Sequence, residues 1–177
     1  MLATIKKISR HRLSWFLLLL STLALLASGL YFQYGLNLQP CIKCIYIRAA
    51  FAGILVAALL GMLAPRQSVL RLLAIGLWIT SAAIGFYHAL ALVNIEQTIA
   101  AGGFSSCALF AEFPSWLALD KWLPSVFEVT GSCGAVDWQF AGLSMAYWSM
   151  LVLAAFLLTA SVVLIGQFGR ISNNPYR

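Results

Sequence analysis

The sequence predicts an all-α membrane protein: a bundle of four transmembrane helices with both termini cytoplasmic and a long second loop on the outer side. Three observations predict it. Of the 177 residues, 62% are apolar and only 9% are charged, whereas soluble domains run nearer half apolar and a quarter charged. Four stretches are apolar for long enough to cross a hydrocarbon core of about 30 Å as helices. The basic residues gather on one side of those stretches. One integral membrane domain, 1–177, accounts for the whole chain.

The elements follow in order. Lys6, Lys7, Arg10, His11 and Arg12 make a short basic arm, and no formal charge then appears until Lys43. This places a first span at about 14–34, followed by Tyr31, Phe32 and Tyr34 as an interfacial aromatic belt. A cleaved signal peptide is the competing reading, with Ala27-Ser28-Gly29 as its small residues; the length of the apolar run favours a span. The second span is about 44–63 and ends at Ala64-Pro65-Arg66. A short loop with Arg66 and Arg71 leads to a third span at about 72–92. The last span is about 146–167. The outer loops are then about 35–43 and 93–145.

Charge orients the bundle. Eight of the eleven Lys and Arg residues fall in the N-terminal arm, the 66–71 loop and the C-terminal tail. The opposite side holds Lys43, Arg48 and Lys121 with all five acids, Glu96, Glu112, Asp120, Glu128 and Asp137. Basic excess marks the cytoplasmic face, so every cysteine faces out. In a bacterium that side is the periplasm, where disulfides persist. The net charge of +6 is therefore a topology signal. The basic residues form no aromatic-interleaved patch, so nucleic acid is not an expected partner.

The chemistry centres on Pro40-Cys41-Ile42-Lys43-Cys44-Ile45-Tyr46-Ile47-Arg48. A Cys-x-x-Cys pair stands where the second span begins, at the membrane–water boundary. Arg48 lies one helical turn beyond Cys44 on the same face. A cation there favours the thiolate that attacks disulfides, and an ionisable residue inside an apolar span is itself a candidate functional group. The pair is placed to meet a lipid-soluble reactant. Cys107 and Cys133 lie in the long outer loop on turn-rich backbone, after Gly102-Gly103-Phe104-Ser105-Ser106 and Thr130-Gly131-Ser132. Four cysteines allow three disulfide connectivities.

Zinc is disfavoured, because Cys107 and Cys133 lack ligand-like spacing and the compartment is oxidising. Purely structural disulfides are also disfavoured, because a Cys-x-x-Cys ring is too small to stabilise much by loop closure. His88, on the third span, reads as a packed histidine. The stretch from Phe113 to Pro124, with Trp116 and Trp122, reads equally as a surface-lying segment or a short packed helix.

These residues resemble the disulfide bond formation protein B family, DsbB, the quinone-linked membrane oxidases of the bacterial periplasm. The likeness covers nearly the whole chain. It is carried by Pro-Cys-x-x-Cys-x-Tyr-x-Arg at 40–48 and by Cys107 before Phe113-Pro114-x-Trp116-Leu117. Leu119-Asp120-Lys121-Trp122-x-Pro124, then Cys133 and Trp138, complete it. The resemblance implies a thiol:quinone oxidoreductase of the bacterial inner membrane. It would reoxidise a periplasmic thioredoxin-fold oxidase of the DsbA type and pass the electrons to ubiquinone or menaquinone.

By position, Cys41 and Cys44 are implied as the pair that reduces quinone, with Cys44 at the ring, and Arg48 as the quinone-site arginine. Cys107 and Cys133 are implied as the outer pair, with Cys107 attacked by the partner. Two departures stand out. Ile47 occupies a position where some members carry an acid, and Val93–Ser106 lacks the histidine some members have there. Either departure bears on quinone affinity or proton delivery. Two other readings compete. An exporter of reducing equivalents needs cysteines within the spans or on the cytoplasmic side, and the chain has none. A disulfide-stapled membrane scaffold is the non-enzymatic alternative.

Overall fold

The computed structural model describes residues 2–104, 113–114, 117–134 and 138–169. Cys107, Glu112, Trp116, Asp137, Arg170 and Arg177 lie outside the described residues. The helices are α1 (Leu2–Ser9), α2 (Arg12–Tyr34), α3 (Ile42–Leu63), α4 (Ser68–Ala100), α5 (Leu119–Trp122), α6 (Pro124–Phe127) and α7 (Met145–Gln167). The strands β1 (Gln139–Phe140) and β2 (Leu143–Ser144) form a small antiparallel hairpin before α7. Ala141 and Gly142 both have positive φ, 52° and 78°, as a two-residue turn with right-twisted strands requires.

Helices α2, α3, α4 and α7 are long and apolar enough to cross a membrane. Their apolar residues run round every face, which suits burial in lipid as well as in protein. They pack in the order α2–α3–α4–α7, and α1 lies against α7. Helix α3 is the most buried of the four, whereas α2 and α7 are peripheral. Leu13, Leu17, Leu20 and Leu23 on α2 are exposed, as are Leu158, Val162 and Ile165 on α7; these are lipid-facing positions. The interior alternates Ile45, Ile54, Ile75 and Leu153 with Ala57, Ala58, Ala74, Ala82, Ala89 and Ala160, all fully buried. Small residues let helix backbones approach closely where no water drives association.

Gly61 is the sharpest case. A Cβ there would sit 2.2 Å from the Trp15 ring, and that ring is held by a 2.8 Å hydrogen bond from Nε1 to the Ser9 carbonyl. Gly61→Ala is expected to destabilise the bundle by about 1–3 kcal/mol through overpacking. Gly76→Ala meets nothing within 4 Å and serves as the neutral control. Thermal unfolding in detergent compares the two.

Three boundaries depart from the hydropathy reading. The basic arm folds as α1, which Lys6 Nζ ties to the Gly169 carbonyl at 2.9 Å. Helix α3 starts at Ile42 with Cys41 as its N-cap, so the helix begins two residues before Cys44. The largest difference is in α4, whose helix runs for 33 residues, 68–100, beyond both ends of the expected span of about 72–92; at 1.5 Å per residue it is about 50 Å long. Hydropathy measures the greasy length and misses the polar turns Asn94–Thr98 that continue the helix. The stop is conformational. Gly102, at φ +81°, donates its N–H to the Ile99 carbonyl, and Gly103 N–H bonds to the Thr98 carbonyl, a Schellman termination. The helix therefore ends at Ala100.

At the end of the bundle where α1 packs, Arg71 is buried. Its Nε donates to Gln167 Oε1 at 2.9 Å and its Nη1 to the Pro65 carbonyl at 2.8 Å. This arginine, counted above as a topology charge, also joins α4 to α7.

Candidate functional site

At the opposite end, the α2–α3 connection delivers Pro40 and Cys41 to the start of α3. Cys41 caps the helix, its Sγ accepting the Cys44 backbone N–H at 3.3 Å. One turn on, Cys44 places its own Sγ 2.8 Å from Cys41 Sγ, both as free thiols. The hydrogen bond with Cys44 holds the Cys41 thiol below the usual cysteine range. Burial opposes this, and the Cys44 and Lys43 backbone N–H groups reinforce it, as expected at a helix N-terminus.

In the reduced protein Cys41 is therefore expected to ionise at lower pH than an ordinary cysteine. Cys44→Ala, which removes the hydrogen-bonding thiol, is expected to raise that value. Thiolate ultraviolet absorbance against pH measures both.

Arg48 is buried at 7% exposure. Its Nη1 donates to Gln33 Oε1 at 2.7 Å and to the Val126 carbonyl at 2.6 Å, and Nη2 donates to the Gly29 carbonyl at 3.2 Å. The guanidinium thus joins α2, α3 and α6. Three of its five N–H groups are engaged among the described residues, and two remain. The small residue read as part of a cleavage signal, Gly29, supplies a carbonyl to this site from the middle of an unbroken α2.

Cys41, Cys44 and Arg48 line one cavity of about 100 Å³, whose walls include Phe32, Gln33, Leu92, Glu96, Trp138 and Met145. Ser132 and Gly134, on either side of Cys133, line it too. Backbone N–H groups of Thr130 and Gly131 donate to the Pro40 carbonyl at 3.2 and 3.0 Å, and a Cβ at Gly131 would meet the Gln39 carbonyl oxygen at 2.4 Å. The turn before Cys133, read from sequence as turn-rich backbone, is pinned beside the dithiol. Cys133 itself is disulfide-bonded. Trp138 packs against Phe32 at 5.0 Å and stacks on Phe140, an aromatic wall on the hairpin side.

A family profile for disulfide bond formation protein DsbB matches residues 11–163. The chain belongs to the DsbB family. It is 48% identical over 160 residues to disulfide bond formation protein B of Photorhabdus laumondii, covering 90% of this chain and 93% of that one. The Aeromonas salmonicida protein of the same name is 45% identical over 167 residues, covering 94% and 95%. That of Histophilus somni is 39% identical over 174 residues, covering 98% and 97%. The protein is accordingly a multi-pass membrane protein of disulfide bond formation, and membership of this DsbB family implies a disulfide oxidoreductase.

Other residues singled out in the sequence fall elsewhere. His88 stacks on Tyr46 at 4.7 Å and meets the edge of Tyr87, outside the cavity lining. Ile47 is buried in the core. The Phe113–Pro124 region divides. Next to it, α6 is anchored by Phe127, by the Arg48 bond to Val126 and by the Tyr34 hydroxyl, which donates to the Ser125 carbonyl at 2.5 Å. Trp122 and Leu123 remain exposed. Sequence reasoning missed Gln33 and Glu96, since neither belongs to a local motif. The only signal for Glu96 was its place one turn after Leu92 on an apolar helix.

Proposed function

We propose that the protein is a thiol:quinone oxidoreductase of the bacterial inner membrane, with both termini in the cytoplasm and its cysteines facing the periplasm. It reoxidises a thioredoxin-fold dithiol oxidase of the DsbA type. Electrons pass from the partner to Cys107 and Cys133, then to Cys41 and Cys44, and finally to ubiquinone or menaquinone. The observation that carries this reading is the shared cavity, which holds a free dithiol, Arg48 and the residues flanking Cys133.

The cavity suits a quinone. Phe32, Leu38, Leu92 and Met145 offer apolar surface, and two Arg48 N–H groups are left for carbonyl oxygens. A quinone bound there would supply a two-electron sink. Cys44 would face it, Arg48 would orient it, and Cys41, whose thiol is held below the usual cysteine range, would be poised for exchange with the outer pair. The backbone bonds from Thr130 and Gly131 to Pro40 keep the Cys133 turn within reach of that exchange.

The energetics call for such a sink. A DsbA-type protein stands near −120 mV, so an ordinary dithiol couple near −200 mV opposes its reoxidation by roughly 4 kcal/mol. Quinone reduction supplies the missing driving force. A membrane scaffold stapled by disulfides would need no such acceptor.

The test is made on purified protein in detergent with a short-chain quinone and a reduced thioredoxin-fold oxidase. One quinone reduced per partner disulfide formed supports the proposal. Partner oxidation without quinone loss, or neither, would return the cysteines to a structural role.

A further inference from the structure

We infer that Glu96 is the proton-accepting group of the dithiol cavity, taking a proton that a cysteine must lose when the Cys41–Cys44 pair is oxidised. The inference rests on the thiol:quinone reading and deepens it. Oxidation of the dithiol by a quinone breaks two S–H bonds, forms one S–S bond and delivers two electrons and two protons to the acceptor oxygens. Glu96 accepts one proton from a thiol and hands it to the reduced acceptor, while the second passes from the remaining thiol. The carboxylate is regenerated and the overall reaction is unchanged.

Four observations point to Glu96. It lines the same cavity as Cys41, Cys44 and Arg48, one helical turn beyond Leu92 on α4. Among the described lining residues it is the only carboxylate. Arg48 cannot serve as a base, since a guanidinium keeps its proton, and the other polar linings, Gln33, Gln39 and Ser132, are neutral. Its Oε2 accepts a 2.5 Å hydrogen bond from Ser144 Oγ, while Oε1 carries no hydrogen bond among the described residues. Ser144 is the N-cap of α7 and accepts the Tyr147 N–H, so the carboxylate is held in place from a helix terminus.

The departures noted in the sequence leave this role open. Ile47 is apolar and buried, and His88 is stacked on Tyr46 away from the cavity. The charged and titratable groups that line the cavity with Glu96 are Cys41, Cys44 and Arg48; Lys43 and Tyr46 of α3 lie outside that lining, and Tyr147 of α7 is hydrogen-bonded to Gln97.

Glu96→Gln tests the inference, because a glutamine oxygen still accepts from Ser144 and keeps the α4–α7 junction. Quinone reduction by the dithiol is expected to slow by about 10²-fold, the low end of general-base effects. A second readout needs no quinone. A neighbouring carboxylate disfavours a thiolate, so in the reduced variant thiolate absorbance is expected to appear at lower pH than in wild type. More thiolate with slower oxidation is the signature of a lost proton acceptor; a lost structural contact does not produce it.

Wild-type rates in Glu96→Gln would overturn the inference while leaving the thiol:quinone reading intact. Failure of the wild type to reduce any quinone would instead overturn the thiol:quinone reading. An unchanged thiolate titration in the variant would then show that Glu96 does not communicate with the thiols, and would overturn the inference as well.

Discussion

Cys44→Ser is expected to abolish quinone reduction, lowering its rate by at least about 10³-fold, the scale seen when one member of a catalytic unit is removed. The loss should not depend on the electron donor, because no alternative thiol lines the cavity beside Cys41 among the described residues. Cys133→Ser is expected to behave differently. With a protein donor, turnover is lost. With a small dithiol that reaches Cys41 directly, quinone reduction persists, since Cys133 flanks the cavity through Ser132 and Gly134 and lies outside the Cys41–Cys44 pair. Following quinone absorbance with both donors separates the two pairs. Equal losses with both donors would show that the cysteines act as one structural unit, against a relay.

Substitution of Arg48 carries the second large effect, and it has two parts. Arg48→Met removes the donors to Gln33 Oε1 and to the Val126 and Gly29 carbonyls. Each buried acceptor left alone costs about 1–3 kcal/mol, so a loss of about 3 kcal/mol or more in unfolding free energy is expected. The loosened contact is the one that holds α6 against α3. Arg48→Lys keeps the charge, but a single ammonium replaces a planar fork and cannot serve three acceptors and a ligand together. Stability then falls less, while KM for quinone rises by about 10- to 100-fold, the equivalent of one charge-assisted hydrogen bond. Unfolding in detergent reads the first effect and steady-state kinetics the second. An unaltered KM in Arg48→Lys would remove Arg48 from the quinone site and leave it a packing residue.

Much of this architecture is legible along the chain because hydropathy is a local property. Four apolar runs marked four helices, and the Cys41–Arg48 spacing placed a dithiol and a cation one turn apart at the head of α3. Local signals failed where conformation outran hydropathy. Helix α4 continues through Asn94, Glu96 and Gln97 until Gly102 stops it in a left-handed conformation. The same glycine pair reads from sequence as turn-rich backbone. Cys41 was visible as half of a motif, whereas the Cys44 thiol hydrogen bond that lowers its pKa, and the cap N–H groups that reinforce it, depend on a geometry that spacing alone does not specify.

By itself, then, the sequence determined the number of helices, the membrane environment and the position of the Cys41–Cys44 pair at a helix end. Each follows from residues close together in the chain. The tertiary structure decided which distant residues share the cavity: Gln33 from α2, Glu96 from α4, and Ser132 and Gly134 from the long loop. The physical reason lies in the helices. They are apolar on every face, so no amphipathic stripe announces which side turns inward. Only close packing of α2, α3, α4 and α7 around small residues, and the bonds of Arg48 and Pro40 to the loop, bring a carboxylate, a guanidinium and the dithiol to one place.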